Sequence, residues 1–80
     1  MGKYNGHKNW THWNVSLWIN NDEGLYNLAR ETVRWCKAEG YTRQAAAIEM
    51  LRDLEEQGTT KTPDGAPYSV SSIRAAMVGM

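Results

Sequence analysis

Phenylalanine is absent from this chain of 80 residues, cysteine occurs once and proline twice. The lone Cys36 excludes an intrachain disulfide, and together with two distant histidines it is too sparse for a structural zinc site. We therefore expect no metal and no cofactor. A charge surplus is missing as well, because nine Lys and Arg balance nine Asp and Glu. Proteins that hold duplex DNA electrostatically carry a basic excess, and mimics of DNA carry an acidic one. Neither pattern is met. No apolar run reaches the roughly 18 residues of a membrane span, and the opening MGKYNGHKNW has no signal-peptide apolar region. The expectation is a cytoplasmic protein that stays where it is made and has no membrane partner.

What the chain does have is aromatic bulk. A domain of this size buries only about 60–65% of the surface its unfolded chain exposes, so its core must be efficient. Four tryptophans and four tyrosines can each bury on the order of 150–250 Å². At least three of the tryptophans are expected in the core, Trp13 and Trp35 foremost.

Periodicity and capping residues predict an all-α fold, a compact bundle of about four helices with short loops and no sheet, forming one domain over residues 1–80. A first helix is expected from His12 to Asn20, with Thr11 as N-cap and Trp10 packing on Val15 as a staple. Trp13, Leu17 and Trp18 share its broad face, and Val15 and Ile19 fall elsewhere. Asn21-Asp22-Glu23 restarts the chain, and a second helix continues to about Glu39, before Gly40. Its apolar face is Leu25, Leu28, Ala29, Thr32, Trp35 and Cys36, with Tyr26 and Val33 at the edge. Thr42 caps a third helix that reaches about Gln57 with the stripe Ala47, Ile48, Met50, Leu51 and Leu54. Residues 59–68 carry the turn signal Pro63-Asp64-Gly65. Tyr68-Ser69 then opens a short last helix bearing Val70, Ile73, Met77 and Val78. Residues 1–10 form an amino-terminal arm.

Catalytic chemistry finds little support. His7 and His12 have no Cys or Asp partner nearby in sequence, and Cys36 lies on an apolar face, where a free thiol acts as a small hydrophobe. The adjacent acids Asp22-Glu23 and Glu55-Glu56 diverge on a helix and cannot converge on one substrate. No Gly-rich phosphate loop is present, so the chain is not expected to be an enzyme. Nucleic-acid binding is the first alternative. The second and third helices could form a helix-turn-helix, placing Arg43 and Gln44 at the start of a recognition helix, where these residue types read guanine and adenine. The acids further along that helix oppose it. Protein binding is the other class, since Trp and Tyr dominate interface hot spots. The candidate contacts are the apolar residues off the main stripes, Ile19, Tyr26, Met77 and Val78 with the terminal Met80, and the polar arm residues Lys3, Tyr4, His7 and Lys8. An apolar last helix could instead bury itself in a homodimer.

Tyr4 to Tyr26, YNGHKNWTHWNVSLWINNDEGLY, is the distinctive segment. It resembles the opening of small proteins encoded by phages and plasmids: a Tyr-Asn-Gly stretch, then Asn-aromatic-x-Thr-Trp-Asn-Val-x-Leu-Trp, then an Asn-Asp-Glu turn. Thr62-Pro63-Asp64-Gly65 resembles the closing loop of the same group. The resemblance covers about a third of the chain well and the rest loosely. His12 departs from it, standing where an acid is expected, and the last helix is more apolar than in the group. The resemblance implies a phage or mobile-element setting. Small proteins from that setting without enzymatic motifs often bind and block host defence complexes, CRISPR interference among them. The expectation is an inhibitor that acts by steric contact with a host protein or ribonucleoprotein. A helix-turn-helix regulator and a self-associating accessory protein are the alternatives.

Overall fold

The structure is a computed structural model that describes residues 7–80. Lys3 and Tyr4 lie outside the described residues. Four helices follow in order: α1 (Trp10–Asn21), α2 (Glu23–Ala38), α3 (Arg43–Glu56) and α4 (Val70–Ala76). No strand occurs among the described residues, where a single antiparallel bridge joins Lys61 to Pro67. The radius of gyration, 11.9 Å, matches the roughly 11.6 Å expected of a compact chain of this length. Each helix packs on two others in a closed cycle: α1 on α2, α2 on α3, α3 on α4 and α4 back on α1.

Local chemistry sets the helix ends. Asp22, Thr42 and Ser69 each accept a hydrogen bond from a backbone N–H of the first turn of α2, α3 and α4. These side chains satisfy donors that a helix leaves unpaired at its start. Ser69 and Ser72 add a reciprocal capping box. Helix α1 begins earlier than its sequence suggests. Asn9, not Thr11, is the N-cap, with its Oδ1 accepting from the His12 amide at 3.0 Å. Asn20 and Asn21 fold their amides back onto the carbonyls of Ser16 and Leu17, which holds the last turn of α1 closed. Helix α2 ends in a Schellman closure: Gly40, at φ 81°, donates to the Lys37 carbonyl and Tyr41 donates to that of Cys36. That backbone path needs glycine, and it brings residue 41 back over the last turn of α2.

The core joins Val15 and Ile19 of α1, Ala29, Val33 and Cys36 of α2, and Ala46, Ala47, Met50 and Leu54 of α3. Ala66, Tyr68, Ile73, Ala76 and Met77 complete it. Several sequence expectations are corrected here. The inward face of α1 is Asn14, Val15 and Ile19, whereas Leu17 is exposed and Trp13 only half-buried. The inward line of α2 runs through Ala29, Val33 and Cys36, which leaves Trp35 54% exposed. On α3, Ile48 is 42% exposed, and Ala46 takes the buried place beside Ala47. None of the four tryptophans is buried. The reason is steric: alanine pairs let α3 approach its neighbours closely, and small or flexible aliphatic side chains fill the narrow space that results.

Residues 59–68 are held to α1 by polar contacts. Thr62 and Gly65 close the turn around Pro63-Asp64, with the Gly65 amide donating to the Thr62 carbonyl at 2.8 Å. The Thr62 hydroxyl donates to Asn14 Oδ1 at 2.6 Å and accepts from the Ala66 amide at 3.0 Å. Asp64 Oδ2 accepts from Asn14 Nδ2 at 2.8 Å and from the Trp18 indole N–H at 2.9 Å. Asn14 is 1% exposed and uses both ends of its amide in this network. The two donors hold the Asp64 carboxyl below its ordinary pKa, the Asn14 bond more than the Trp18 bond. The Asn14 side chain is therefore closed inside the fold.

Candidate interaction surfaces

The sequence features of α1 and the Thr62–Gly65 loop meet in this network, so the Asn14, Trp18, Thr62 and Asp64 that mark them are fold-holding residues. What remains on the surface is of two kinds.

The first is an aromatic face on α2 and α3. The Schellman turn places the Tyr41 ring against that of Trp35, with centroids 5.8 Å apart and planes tilted by 32°. Part of this contact is local, since residues flanking such a turn commonly touch. Yet both rings stay more than half exposed, at 54% for Trp35 and 55% for Tyr41, and Ile48 adds to them. Trp35, Cys36, Tyr41, Ala45, Ile48 and Glu49 line a shallow, largely apolar cleft. A second cleft against Trp35 is bounded by Glu31, Thr32, Glu49 and Asp53. Trp35 thus borders both clefts, and Glu49 is common to the apolar hollow and the group of three carboxylates. Arg52 contacts Glu49 at 3.3 Å and offsets only part of that negative charge.

The second is an open groove of about 560 Å³ where the start of α3 meets α1 and α4. Its polar lining is His12, Arg43, Gln44, Ser71 and Arg74, with Val70, Ala75 and Val78 as the apolar part, and no carboxylate lines it. His12 Nε2 lies 3.0 Å from the Ser71 hydroxyl. Burial, then the positive charge of Lys8 and the neighbouring His7, push the His12 pKa down. A Ser–His pair is the start of a nucleophilic site, but no hydrogen bond among the described residues orients the imidazole from its other nitrogen, as a triad requires. Sequence reading missed this pair, because 59 positions separate its members and neither lies in a motif.

The expected contact residues divide. Ile19 and Met77 are fully buried, and neither is available to a partner. Ile19 faces inward because the Asn14 network sets the rotation of α1, and Met77 follows α4 directly into the core. Tyr26 is half-buried, with the Arg30 guanidinium carbon 5.7 Å from its ring centroid. Val78 is 70% exposed at the groove rim, and Met80 is half-buried against the core. Lys8 is exposed and His7 half-buried near the start of α1. Arg43 and Gln44 are exposed at the start of α3, but they face a groove completed by α4. Trp35 and Ile48 of the aromatic face were assigned to the core from sequence; the exposure of three large apolar side chains is what identifies it.

Burial pushes the Cys36 thiol up, with Glu49 adding to the effect, so it is a poor nucleophile. No group of His, Cys, Asp or Glu that could hold a metal occurs among the described residues. No helix of the described residues is long and apolar enough to cross a membrane.

A model of one protein family, described as a family of unknown function (DUF7249), matches residues 1–80. The chain belongs to that family. No curated protein and no solved structure matches it.

Proposed function

We propose that this protein is a binding module that docks its α2–α3 aromatic face on a basic surface of a partner protein and acts by occluding that surface. The observation that carries the reading is the exposed Trp35–Tyr41–Ile48 group beside Glu31, Glu49 and Asp53. Exposed tryptophan and tyrosine on a rigid helix pair supply large contact area at low entropic cost. The carboxylates around Trp35 select a partner carrying lysine or arginine, whose cation can lie on the indole face while its charge is met.

The resemblance of Tyr4–Tyr26 to phage- and plasmid-encoded proteins supports a setting in the cytoplasm of an infected host. There the occluded surface would belong to a defence complex, CRISPR interference first among the candidates. Such complexes handle nucleic acid and carry the basic surfaces that this face complements. The test is phage plating on a host whose CRISPR system targets the infecting phage. Expression of the wild-type chain is expected to restore plaques by orders of magnitude, and a Trp35→Ala, Ile48→Asp variant that retains its helical circular dichroism is not. If the wild-type chain leaves plating unchanged, the CRISPR reading falls. If the double variant restores plaques as well as the wild type, the aromatic face is not the contact.

A further inference from the structure

The groove between α1, α3 and α4 has a lining that the aromatic face does not explain. Five arginines occur in the chain, and two of them are engaged on the surface: Arg30 over Tyr26, and Arg52 with Glu49. Arg43 and Arg74 both line the groove, and among the described residues Arg52–Glu49 is the one ion pair within 4.0 Å. Two guanidinium groups from different helices therefore meet at one hollow with no carboxylate to neutralise them. Beside them stand the Gln44 amide and the Ser71–His12 pair, whose internal hydrogen bond leaves one of its two protons free to donate to an oxyanion. Helix α3 divides its charge by position. Arg43 is at its start, and Glu49, Asp53, Glu55 and Glu56 come later, so a net charge of zero hides a cationic end.

We propose that this groove is a phosphate-binding site, in which Arg43 and Arg74 clamp one or two phosphate groups while Gln44 and the Ser71–His12 pair fix their orientation. Guanidinium matches phosphate geometry with paired, charge-assisted hydrogen bonds, which ammonium or amide groups cannot reproduce. The open shape suits a chain passing through as well as a free anion. Phosphodiesters of a nucleic acid strand and small free phosphates thus share the chemistry. The site stands apart from the aromatic face and does not depend on the function proposed for it. A nucleoprotein target would present a basic surface and a phosphodiester chain side by side, and could engage both.

The experiment follows the arginine Nε–H resonances of the ¹⁵N-labelled full chain while inorganic phosphate or a twelve-nucleotide oligothymidylate is added. The expected result is a saturable shift of Arg43 and Arg74, with Arg30 and Arg52 unmoved. With oligothymidylate, two neutralised phosphates should weaken binding by roughly sevenfold as salt rises from about 50 to 200 mM. Arg43→Gln with Arg74→Gln should lower affinity at least tenfold while the helical circular dichroism stays unchanged. Tight binding of oligothymidylate over phosphate names a nucleic acid strand as the source, and comparable affinities name a small anion; both support the site. Shifts of all arginines alike, saturation by neither probe, or undiminished binding by the double variant would overturn it.

Discussion

Trp18 and Trp35 are the same residue type on neighbouring helices, and the fold treats them in opposite ways. The indole N–H of Trp18 is tied to Asp64 in a network that reaches the buried Asn14 amide. No hydrogen bond of the Trp35 side chain to the rest of the described chain occurs, and its ring is 54% exposed beside Tyr41. The region around Trp18 is polar, specific and internally satisfied. The region around Trp35 is apolar, exposed and unmatched. A small domain that leaves large aromatic area in water forgoes stability that burial would supply. The difference teaches that aromatic content in this chain does not measure its core. One tryptophan holds a loop in place, and another is left facing outward.

The comparison breaks most visibly at Asn14. Replacing Asn14 by Ala leaves the buried Thr62 hydroxyl without its acceptor, and leaves Asp64 Oδ2 with the Trp18 indole N–H as its one remaining partner on α1. An unpaired hydroxyl in a buried network costs about 1–3 kcal/mol. We expect a loss of about 2 kcal/mol in urea denaturation, equivalent to a fall in Tm of roughly 8–16 °C for a domain of this size. A loss under about 0.5 kcal/mol would show that the network is ornamental and that the loop is held by Ala66 and Tyr68 alone. Trp18→Phe keeps an aromatic ring but removes the indole N–H and the smaller ring that bears it, and should cost about 1 kcal/mol by the same assay.

Acid sharpens the contrast further. Hydrogen bonds from Asn14, then Trp18, hold the folded Asp64 carboxyl below its ordinary value of 3.8. Its contribution to stability is therefore complete above that value and is lost as pH falls through the lower, folded pKa. The Tm of the wild type should approach that of Asp64→Asn as pH drops from about 5 towards 2, and carboxyl NMR should place Asp64 below 3.8. Equal Tm differences across that range would mean that the carboxylate is not the form the loop prefers.

The four helices and the caps at Thr42 and Ser69 were legible because capping chemistry is local, and the restart at Asn21-Asp22-Glu23 contained the cap Asp22. The Gly40 stop and the Pro63-Asp64-Gly65 turn were legible for the same reason. The rotation of each helix was not. Helix α1 is apolar nearly all round, so the face read from Trp13, Leu17 and Trp18 was the wrong one. The true face is chosen by Asn14, through a pairing with residues 62 and 64 that no local pattern encodes. On α2 the stripe is wider than the surface α3 can cover, and residue size gave no warning that Trp35 would fall at its edge. The cationic groove was half visible: Arg43 and Gln44 were singled out, whereas Arg74, Ser71 and His12 join them only through the packing of α4 on α1 and α3.

The smallest expected effect on folding is the most telling about Trp35. Truncating a core tryptophan costs about 3–5 kcal/mol, and the apolar stripe of α2 taken alone predicts that for Trp35→Ala. In the folded protein the ring is more than half exposed and its main neighbour is Tyr41. The loss is then the contact that closes α2, offset by a better helix former in its place. We expect a change of about 0.5–1 kcal/mol, read by urea denaturation at the same pH as the Asn14 variant. A loss of about 3 kcal/mol would return Trp35 to the core and remove the aromatic face as a docking surface. A small loss, set against the large one at Asn14, would leave binding as the reason for a tryptophan at this position.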